Sequence, residues 1–135
     1  MMKIIYTTIT LAALIGLGQV SCKSNYSDGQ FLYKTVCANC HMDDGSGLIG
    51  LIPPLANSDY LKENQQNLPC IIRHGLKGQI NVNGKQFGGQ EMTGILVLTD
   101  VEITNICNYV NTNFNNNNKV LSLQEVKTTL ENCSK

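Results

Sequence analysis

The chain has 135 residues and a mass of 14.8 kDa, which is room for one domain but not comfortably for two. Its 10 basic and 10 acidic residues cancel, which excludes a broad basic surface for nucleic acid and a long acidic tail. Six cysteines are many for this length. They indicate a metal in a cytosolic protein, or disulfides or a thioether-bound cofactor in an exported one.

The N-terminal segment predicts export. The basic residue Lys3 is followed by an uncharged and mostly apolar stretch from Ile4 to Val20, which is the layout of a secretory signal peptide. We therefore expect residues 1–21 to be a signal peptide. The alternative is an uncleaved N-terminal anchor helix, although polar residues dilute the stretch for a transmembrane span.

The end of that segment predicts a lipid anchor. Val20-Ser21-Cys22 is similar to the lipobox of bacterial lipoproteins, which implies lipidation of Cys22 and a membrane-anchored protein facing the periplasm, on either membrane. Alternatively, Cys22 is an ordinary exported cysteine that pairs with another. With the lipid on Cys22, residues 22–26 are expected to be the tether of the anchor, and residues 27–135 the folded domain.

Helices separated by loops are predicted for this domain, so the expected fold class is all-α. Three helix starts have Ser or Thr followed three residues later by Glu or Gln, and others have Ser-Asp or a proline. Glycines and a Pro-Pro pair exclude a helix in residues 42–56. Asn83-Gly84 predicts a hairpin-like turn between runs too short to be called a sheet. The helix starts are Ser27, Ser58, Pro69, Thr99 and Ser122, and the last helix (122–133) follows an Asn-rich linker, 115–121.

Cys37-Ala38-Asn39-Cys40-His41 carries the chemistry, since C-x-x-C-H is the attachment signal of c-type haem. At this spacing the two thiols lie about one helical turn apart, close enough to add to the two vinyl groups of one haem edge. His41, next in sequence, then offers an imidazole nitrogen to the iron. Zinc and thioredoxin-like sites share C-x-x-C, but the sequence has no second C-x-x-C and no βαβ pattern before the motif. One covalently attached haem c is therefore predicted.

A second axial ligand is expected from the few remaining candidates. Met42 directly follows the proximal histidine and cannot reach the opposite face of the ring. Met92 lies far downstream in a glycine-marked loop just before a strong helix, so it is the leading ligand. His74, beside an arginine and before a helix-ending glycine, is the alternative, although we expect it near the surface.

Over nearly the whole of residues 27–135, the chain resembles the small class I c-type cytochromes of bacteria. Gly29, Tyr33 and Cys37, four residues apart in succession, match the N-terminal helix of that family, and Ile106 and Tyr109 match the C-terminal helix that crosses it. The resemblance implies a cytochrome c fold, in which these two helices cross over the haem. It further implies that the glycine allows the close approach of the two helices.

The same resemblance implies further haem-binding residues. Gly45-x-Gly47 followed by Pro53-Pro54-Leu55 matches a family loop in which a proline carbonyl accepts a hydrogen bond from the proximal histidine. Ile71 to Gly75 resembles a segment whose arginine, Arg73 here, lies near a haem propionate. Gln90 to Gly94 stands where the family has its ligand methionine, usually flanked by prolines that are absent here.

Three cysteines remain without a role: Cys70, Cys107 and Cys133. Cys107 lies mid-helix among apolar residues, where a buried free thiol is expected. A disulfide between Cys70 and Cys133 would pin the short tail helix, which is marginal unaided. A Cys70–Cys107 pair is the alternative.

The function predicted by these features is one-electron transfer outside the inner membrane, with redox proteins as partners. No catalytic constellation and no small-molecule substrate site stand out, so we expect no enzyme activity. Two alternatives remain: a haem subunit docked within a larger oxidase or reductase assembly, and a haem enzyme or sensor with an open sixth position. The near-neutral charge predicts little electrostatic steering toward a partner.

Overall fold

A computed structural model describes residues 26–116 and 118–133 of the chain. The expected signal peptide (residues 1–21) and Cys22 lie outside the described residues. The described helices are α1 (Tyr26–Val36), α2 (Ala38–His41), α3 (Asp59–Glu63), α4 (Leu68–His74), α5 (Asp100–Asn113) and α6 (Leu123–Glu131), with a 3-10 turn at Gln65–Asn67. The strands are β1 (Gly75–Leu76), β2 (Ile80–Val82), β3 (Lys85–Phe87) and β4 (Met92–Thr93). Across these described ranges, no helix is both long and apolar enough to cross a bilayer.

The strands form two small antiparallel sheets, which corrects the purely α-helical expectation. In one, β2 pairs with β3 around the Asn83-Gly84 turn, where both turn residues have positive φ, as a two-residue hairpin turn requires. In the other, β1 pairs with β4, with Leu76 opposite Met92. The second sheet joins segments that are distant in sequence and carry no strand-like alternation, so sequence patterning did not reveal it.

The two longest helices, α1 and α5, cross at a glycine. A Cβ atom on Gly29 would lie 2.5 Å from the Asn105 carbonyl oxygen and 3.0 Å from the Tyr109 Cβ. Beside this crossing, Tyr33 is fully buried and packs with Tyr109 and Phe114 at ring-centroid distances of 5.3 and 5.1 Å. The close approach expected at Gly29 is therefore present, and an aromatic cluster fills the space next to it.

Side-chain caps define three of the described helix starts. Thr99 and Ser122 form full capping boxes with Glu102 and Glu125 at the starts of α5 and α6, and Ser58 caps α3. The predicted cap at Ser27 is wrong, because α1 already includes Tyr26. Ser27 therefore lies inside the helix, and the local pattern misplaces the helix start.

The last helix is fastened to the domain at both ends. At its start, the Asn108 side chain exchanges two hydrogen bonds with the backbone of Leu121, at 2.8 and 2.9 Å. Val126 is completely buried in the core. Beyond its end, Cys133 forms a disulfide with Cys70 on α4, which is the predicted pairing, and Cys107 is free and buried.

Candidate haem site

The C-x-x-C-H segment is wound into helical turns that present all three side chains together. The backbone N–H groups of Cys40 and His41 donate to the Cys37 carbonyl, at 3.1 and 2.9 Å. Both thiols are free, and Cys37 is partly buried whereas Cys40 is exposed. Burial, together with a smaller contribution from the nearby Cys40, raises the pKa of the Cys37 thiol to about 11. The two thiols thus form no disulfide with each other, and the Cys37 thiol is protonated at neutral pH.

The imidazole of His41 is held in one orientation. Its Nδ1 lies 3.2 Å from the Pro53 carbonyl oxygen, and a carbonyl can only accept, so Nδ1 carries the proton. Burial lowers the pKa of His41, and the hydrogen bond to Pro53 opposes that shift in part. His41 is therefore a neutral imidazole with its lone pair on Nε2, the form in which histidine binds metals.

The loop before α3 is shaped to deliver the Pro53 carbonyl. Gly45 accepts two hydrogen bonds through its carbonyl, from Leu55 and Ala56 at 2.8 and 3.0 Å. Gly47 has a φ of 67°, and a Cβ there would lie 2.7 Å from the Pro53 carbonyl oxygen. Only glycine fits that conformation and that contact without strain. The orientation of His41 is thus set by local loop geometry.

A cavity of about 450 Å³ opens beside the motif, within the range of about 300–1,000 Å³ that is typical of ligand pockets. The thiols of the motif, the proximal histidine and the predicted distal methionine all line it, and most of the remaining wall is apolar. A second, smaller cavity lies against α3 and α4 and shares His41 and Met92 as wall residues. The residues common to the larger cavity and the predicted site are Cys37, Cys40, His41, Pro53 and Met92, and Pro54 lines the smaller one.

These residues fit a covalently bound haem. An apolar wall accepts a macrocycle, two thiols at one edge can form thioethers, and an imidazole and a thioether are the common axial pair of c-type haem. Within the described ranges there is no cluster of three or more His, Cys, Asp or Glu that would hold a metal ion by itself. The donor set therefore suits an iron that arrives within a macrocycle rather than a bare ion.

The distal candidate Met92 lies in a short strand rather than in an open loop. Leu76 of β1 is its partner in the pairing with β4, and three residues later the Ile95 N–H donates to the Ile72 carbonyl at 2.9 Å. The Met92 side chain is half-buried. The segment that carries it is thus attached to the C-terminal end of α4 by backbone contacts.

The other two ligand candidates lie elsewhere. His74 is exposed at the end of α4 and lines neither cavity. Met42 also lines neither cavity, and its carbonyl accepts a hydrogen bond of 2.7 Å from the Tyr33 hydroxyl. The geometry therefore leaves Met92 as the candidate that shares a cavity with His41.

Arg73 contacts the segment that leads into α5. Its guanidinium donates to the carbonyls of Leu96 and Leu98, at 3.0 and 2.5 Å, and forms an ion pair of 3.0 Å with Asp100. It lines neither cavity. The guanidinium thus holds the segment before α5, and a contact between Arg73 and a haem propionate stays a prediction.

The Asn-rich segment contains residues that the sequence did not reveal. Asn116 is 2% exposed, and its side chain donates to the carbonyls of Leu55 and Val110 while accepting from the Ser58 N–H. Asn118 donates to the carbonyl of Leu61 at 3.3 Å. Leu55, Ser58 and Leu61 all line the smaller cavity, so these asparagines fasten its wall. A run of asparagines predicts turns, and no signal in the sequence showed that two of their side chains point inward.

Comparison with known proteins agrees with this geometry. The sequence model of the cytochrome c family matches residues 26–114. A cytochrome c-552 of Thermus thermophilus is 33% identical over 115 residues, which cover 82% of this chain and 75% of that protein. Another cytochrome c-552 of the same species is 34% identical over 98 residues, covering 70% of this chain and 73% of that protein. The fructose dehydrogenase cytochrome subunit of Gluconobacter japonicus is 32% identical over 106 residues, which cover 75% of this chain but only 21% of that subunit.

Proposed function

The chain belongs to the cytochrome c family, and from that premise we propose an exported, lipid-anchored carrier of one electron in which His41 and Met92 bind the iron. Membership implies a covalently bound haem c, whose iron supplies the redox chemistry by changing between its ferric and ferrous states. One observation carries the ligand assignment. His41 and Met92 line the same cavity as both thiols of the attachment motif.

The attachment roles are proposed for Cys37 and Cys40. Each thiol would add across one vinyl group, so that a carbon–sulfur bond forms, the vinyl double bond becomes single, and the thiol proton goes to the other vinyl carbon. The free state of both thiols and their spacing of one helical turn support these roles. No external oxidant or reductant is needed for such an addition.

The two proposed ligands suit rapid electron transfer. A neutral imidazole with a fixed tautomer and a thioether bring no charge of their own to the iron. His/Met ligation also raises the reduction potential of a c-type haem relative to His/His ligation. Pro53 fixes the His41 ring through Nδ1, so the proximal ligand needs no rotation when the electron count changes. The largely apolar wall excludes water and lowers the local dielectric constant.

The ligand assignment is tested by Met92→Ala, with His74→Ala as the control on the exposed candidate. We expect Met92→Ala to abolish the weak far-red band of ferric iron–thioether bonding, to lower the reduction potential, and to let carbon monoxide bind the ferrous protein. We expect His74→Ala to leave all three unchanged. A high-spin ferric spectrum in His74→Ala, with no effect of Met92→Ala, would instead identify a bis-histidine haem.

Export and anchoring rest on residues 1–22, outside the described part of the chain. The proposal is that residues 1–21 direct export and that the lipid on Cys22 holds the carrier at a membrane facing the periplasm, with residues 22–26 as tether and 27–135 as the domain. Cys22→Ser should move the haem protein from the membrane fraction to the soluble periplasmic fraction. If that variant stays with the membrane, either the lipid assignment is wrong or the uncleaved segment is the anchor.

The partners proposed are a redox donor and an acceptor protein. One relative is named as the cytochrome subunit of a dehydrogenase, which supports docking within a larger complex as the second candidate. The other alternative, an enzyme or sensor with an open sixth position, is not favoured, because Met92 borders the same cavity as His41. Ready carbon monoxide binding by the wild-type protein would reverse that preference.

A further inference from the structure

The strand that carries Met92 touches the end of α4 at a point where neither side has a side chain. On the α4 side is Gly75, which ends the helix with a φ of 83°. A Cβ on Gly75 would collide with the carbonyl oxygen of Met92 and would lie 2.8 Å from the backbone nitrogen of Gly94. The backbone of the ligand segment therefore occupies the space that a side chain at position 75 would need.

The contact is reciprocal on the strand side. A Cβ on Gly94 would lie 2.5 Å from the Arg73 carbonyl oxygen and 2.7 Å from the His74 Cα. Those atoms belong to helix backbone, which cannot swing aside as the tip of a long side chain can. Gly75 and Gly94 thus interlock, each leaving the space that the backbone on the other side fills.

Backbone hydrogen bonds and one side chain extend this contact in both directions. β1 and β4 pair at Gly75–Thr93 and Leu76–Met92, and the Ile95 N–H donates to the Ile72 carbonyl at 2.9 Å. Arg73 then holds the chain beyond the strand through carbonyls further along. The ligand segment is consequently fixed on the end of α4 at Met92 and at the residues that follow it.

A fixed backbone is needed here because methionine is unbranched and flexible, so its sulfur is placed only as well as its Cα. No proline follows Pro69 in the sequence, so none stiffens the segment around Met92. We propose that Gly75 and Gly94 are positioning residues for the distal ligand. Their missing side chains allow the Met92 strand to dock on α4, and this docking replaces prolines as the source of rigidity. This inference rests on the proposed ligation by Met92.

The test compares Gly94→Ala with Gly89→Ala in the haem-loaded protein. Gly94 has no positive φ, so alanine there adds the steric overlap without left-handed backbone strain. Gly89 lies on the other side of β4, in the connection from β3, with nothing within 4 Å of an added Cβ, and is the matched control. Gly75→Ala is the second variant, which adds strain to the same overlap.

We expect Gly94→Ala and Gly75→Ala to weaken the ferric iron–thioether band and to speed carbon monoxide binding to the ferrous protein. The equilibrium constant between the form with Met92 bound and the open form should shift about tenfold or more toward the open form, as expected when the added overlap costs as much as a strained residue. Gly89→Ala should leave both readouts unchanged. Amide exchange of Ile95 should accelerate with the opening in Gly94→Ala while amides within α5 keep their protection, which a global loss of stability would not produce.

A measurement on the wild type covers the case in which the variants do not fold. At urea concentrations below global unfolding, loss of the thioether band and exchange of the Ile95 amide should follow the same urea dependence. An Ile95 amide that stays protected while the iron opens would overturn the inference, as would Gly94→Ala behaving like Gly89→Ala. If Met92→Ala itself changes neither the spectrum nor carbon monoxide binding, the proposal that Met92 is a ligand fails. That result differs from the two outcomes that would overturn the positioning role of the glycines.

Discussion

Removing the Cys70–Cys133 disulfide gives the most quantitative prediction. The bond closes a sequence separation of 63 residues, a span that holds β1 to β4, the whole of α5 and the whole of α6. In the chain-entropy account, a loop of this size stabilises the folded state by about 4 kcal/mol. The double variant Cys70→Ser/Cys133→Ser should lose that amount, which at roughly 4 °C per kcal/mol for a domain of this size lowers Tm by roughly 15 °C.

The native fold should nevertheless persist at room temperature. Without the bond, α6 keeps the buried Val126 side chain and the paired hydrogen bonds between Asn108 and Leu121. The cavity-lining residues of α4 lie before and after Cys70 in sequence. We therefore expect full haem attachment and an unchanged ferric spectrum, with only the unfolding transition displaced.

Thermal unfolding followed by far-ultraviolet circular dichroism measures the effect. Wild-type protein reduced with a dithiol is the matched control, because thioether bonds resist thiol reductants while the disulfide does not. All samples are kept ferrous, since the dithiol also reduces the iron. Equal thermal midpoints for the wild type with its disulfide intact and with its disulfide reduced would refute the loop-closure argument. If the dithiol also lowered the thermal midpoint of the variant that has no disulfide, the reductant would be acting on another part of the protein.

Three further predictions concern the helix crossing, the cavity wall and the cap of the last helix. Gly29→Ala should destabilise the fold by about 1–3 kcal/mol through overlap with the Asn105 carbonyl, and a rise in the urea midpoint would show that helix propensity outweighs the contact. Asn116→Ala leaves three backbone groups without their partner and should cost about 2 kcal/mol or more in urea unfolding; a cost near zero would contradict its proposed anchoring of the cavity wall. The hydrogen bond from Lys119, with those at the helix start, lowers the pKa of Glu125 from 4.5 to about 2, so its stabilising contribution is present above pH 4.5 and is lost as pH falls toward 2. In Glu125→Gln, the free energy of unfolding measured in urea should vary less with pH over that window than in the wild type. An unchanged pH dependence would refute this role of Glu125.

The parts of the fold that sequence predicted well are those fixed by local chemistry. Thr99 and Ser122 form the capping boxes that their spacing predicts, and Asn83-Gly84 turns the hairpin. In each case the partner atoms lie within a few residues, so the pattern and the contact occupy the same window of sequence. The hydrogen bond of His41 to Pro53 spans only twelve residues and follows from a loop that a family resemblance can identify.

The parts that sequence did not predict depend on contacts between distant segments. The β1–β4 pairing places Leu76 beside Met92, and no alternation in either two-residue strand announces it. Asn116 was expected in a linker, yet its side chain reaches Leu55, 61 residues earlier in the chain. Arg73 is directed by carbonyls more than twenty residues away. The type of a polar residue does not show where its side chain finds hydrogen-bond partners when those partners are backbone groups of a distant segment.

This difference bears on how the two faces of the cavity are held. The proximal face depends on short-range geometry, since the glycines before Pro53 and the turn of α2 fix His41 within one stretch of chain. The side of the cavity that contains Met92 depends on α4, which receives the Met92 strand at its end and carries the disulfide at Cys70. Segments held by few long-range backbone contacts open before those held by local turns and core packing. The Met92 side should therefore open first, and the disulfide to the tail helix acts on that side because it restrains the element on which the Met92 strand is docked.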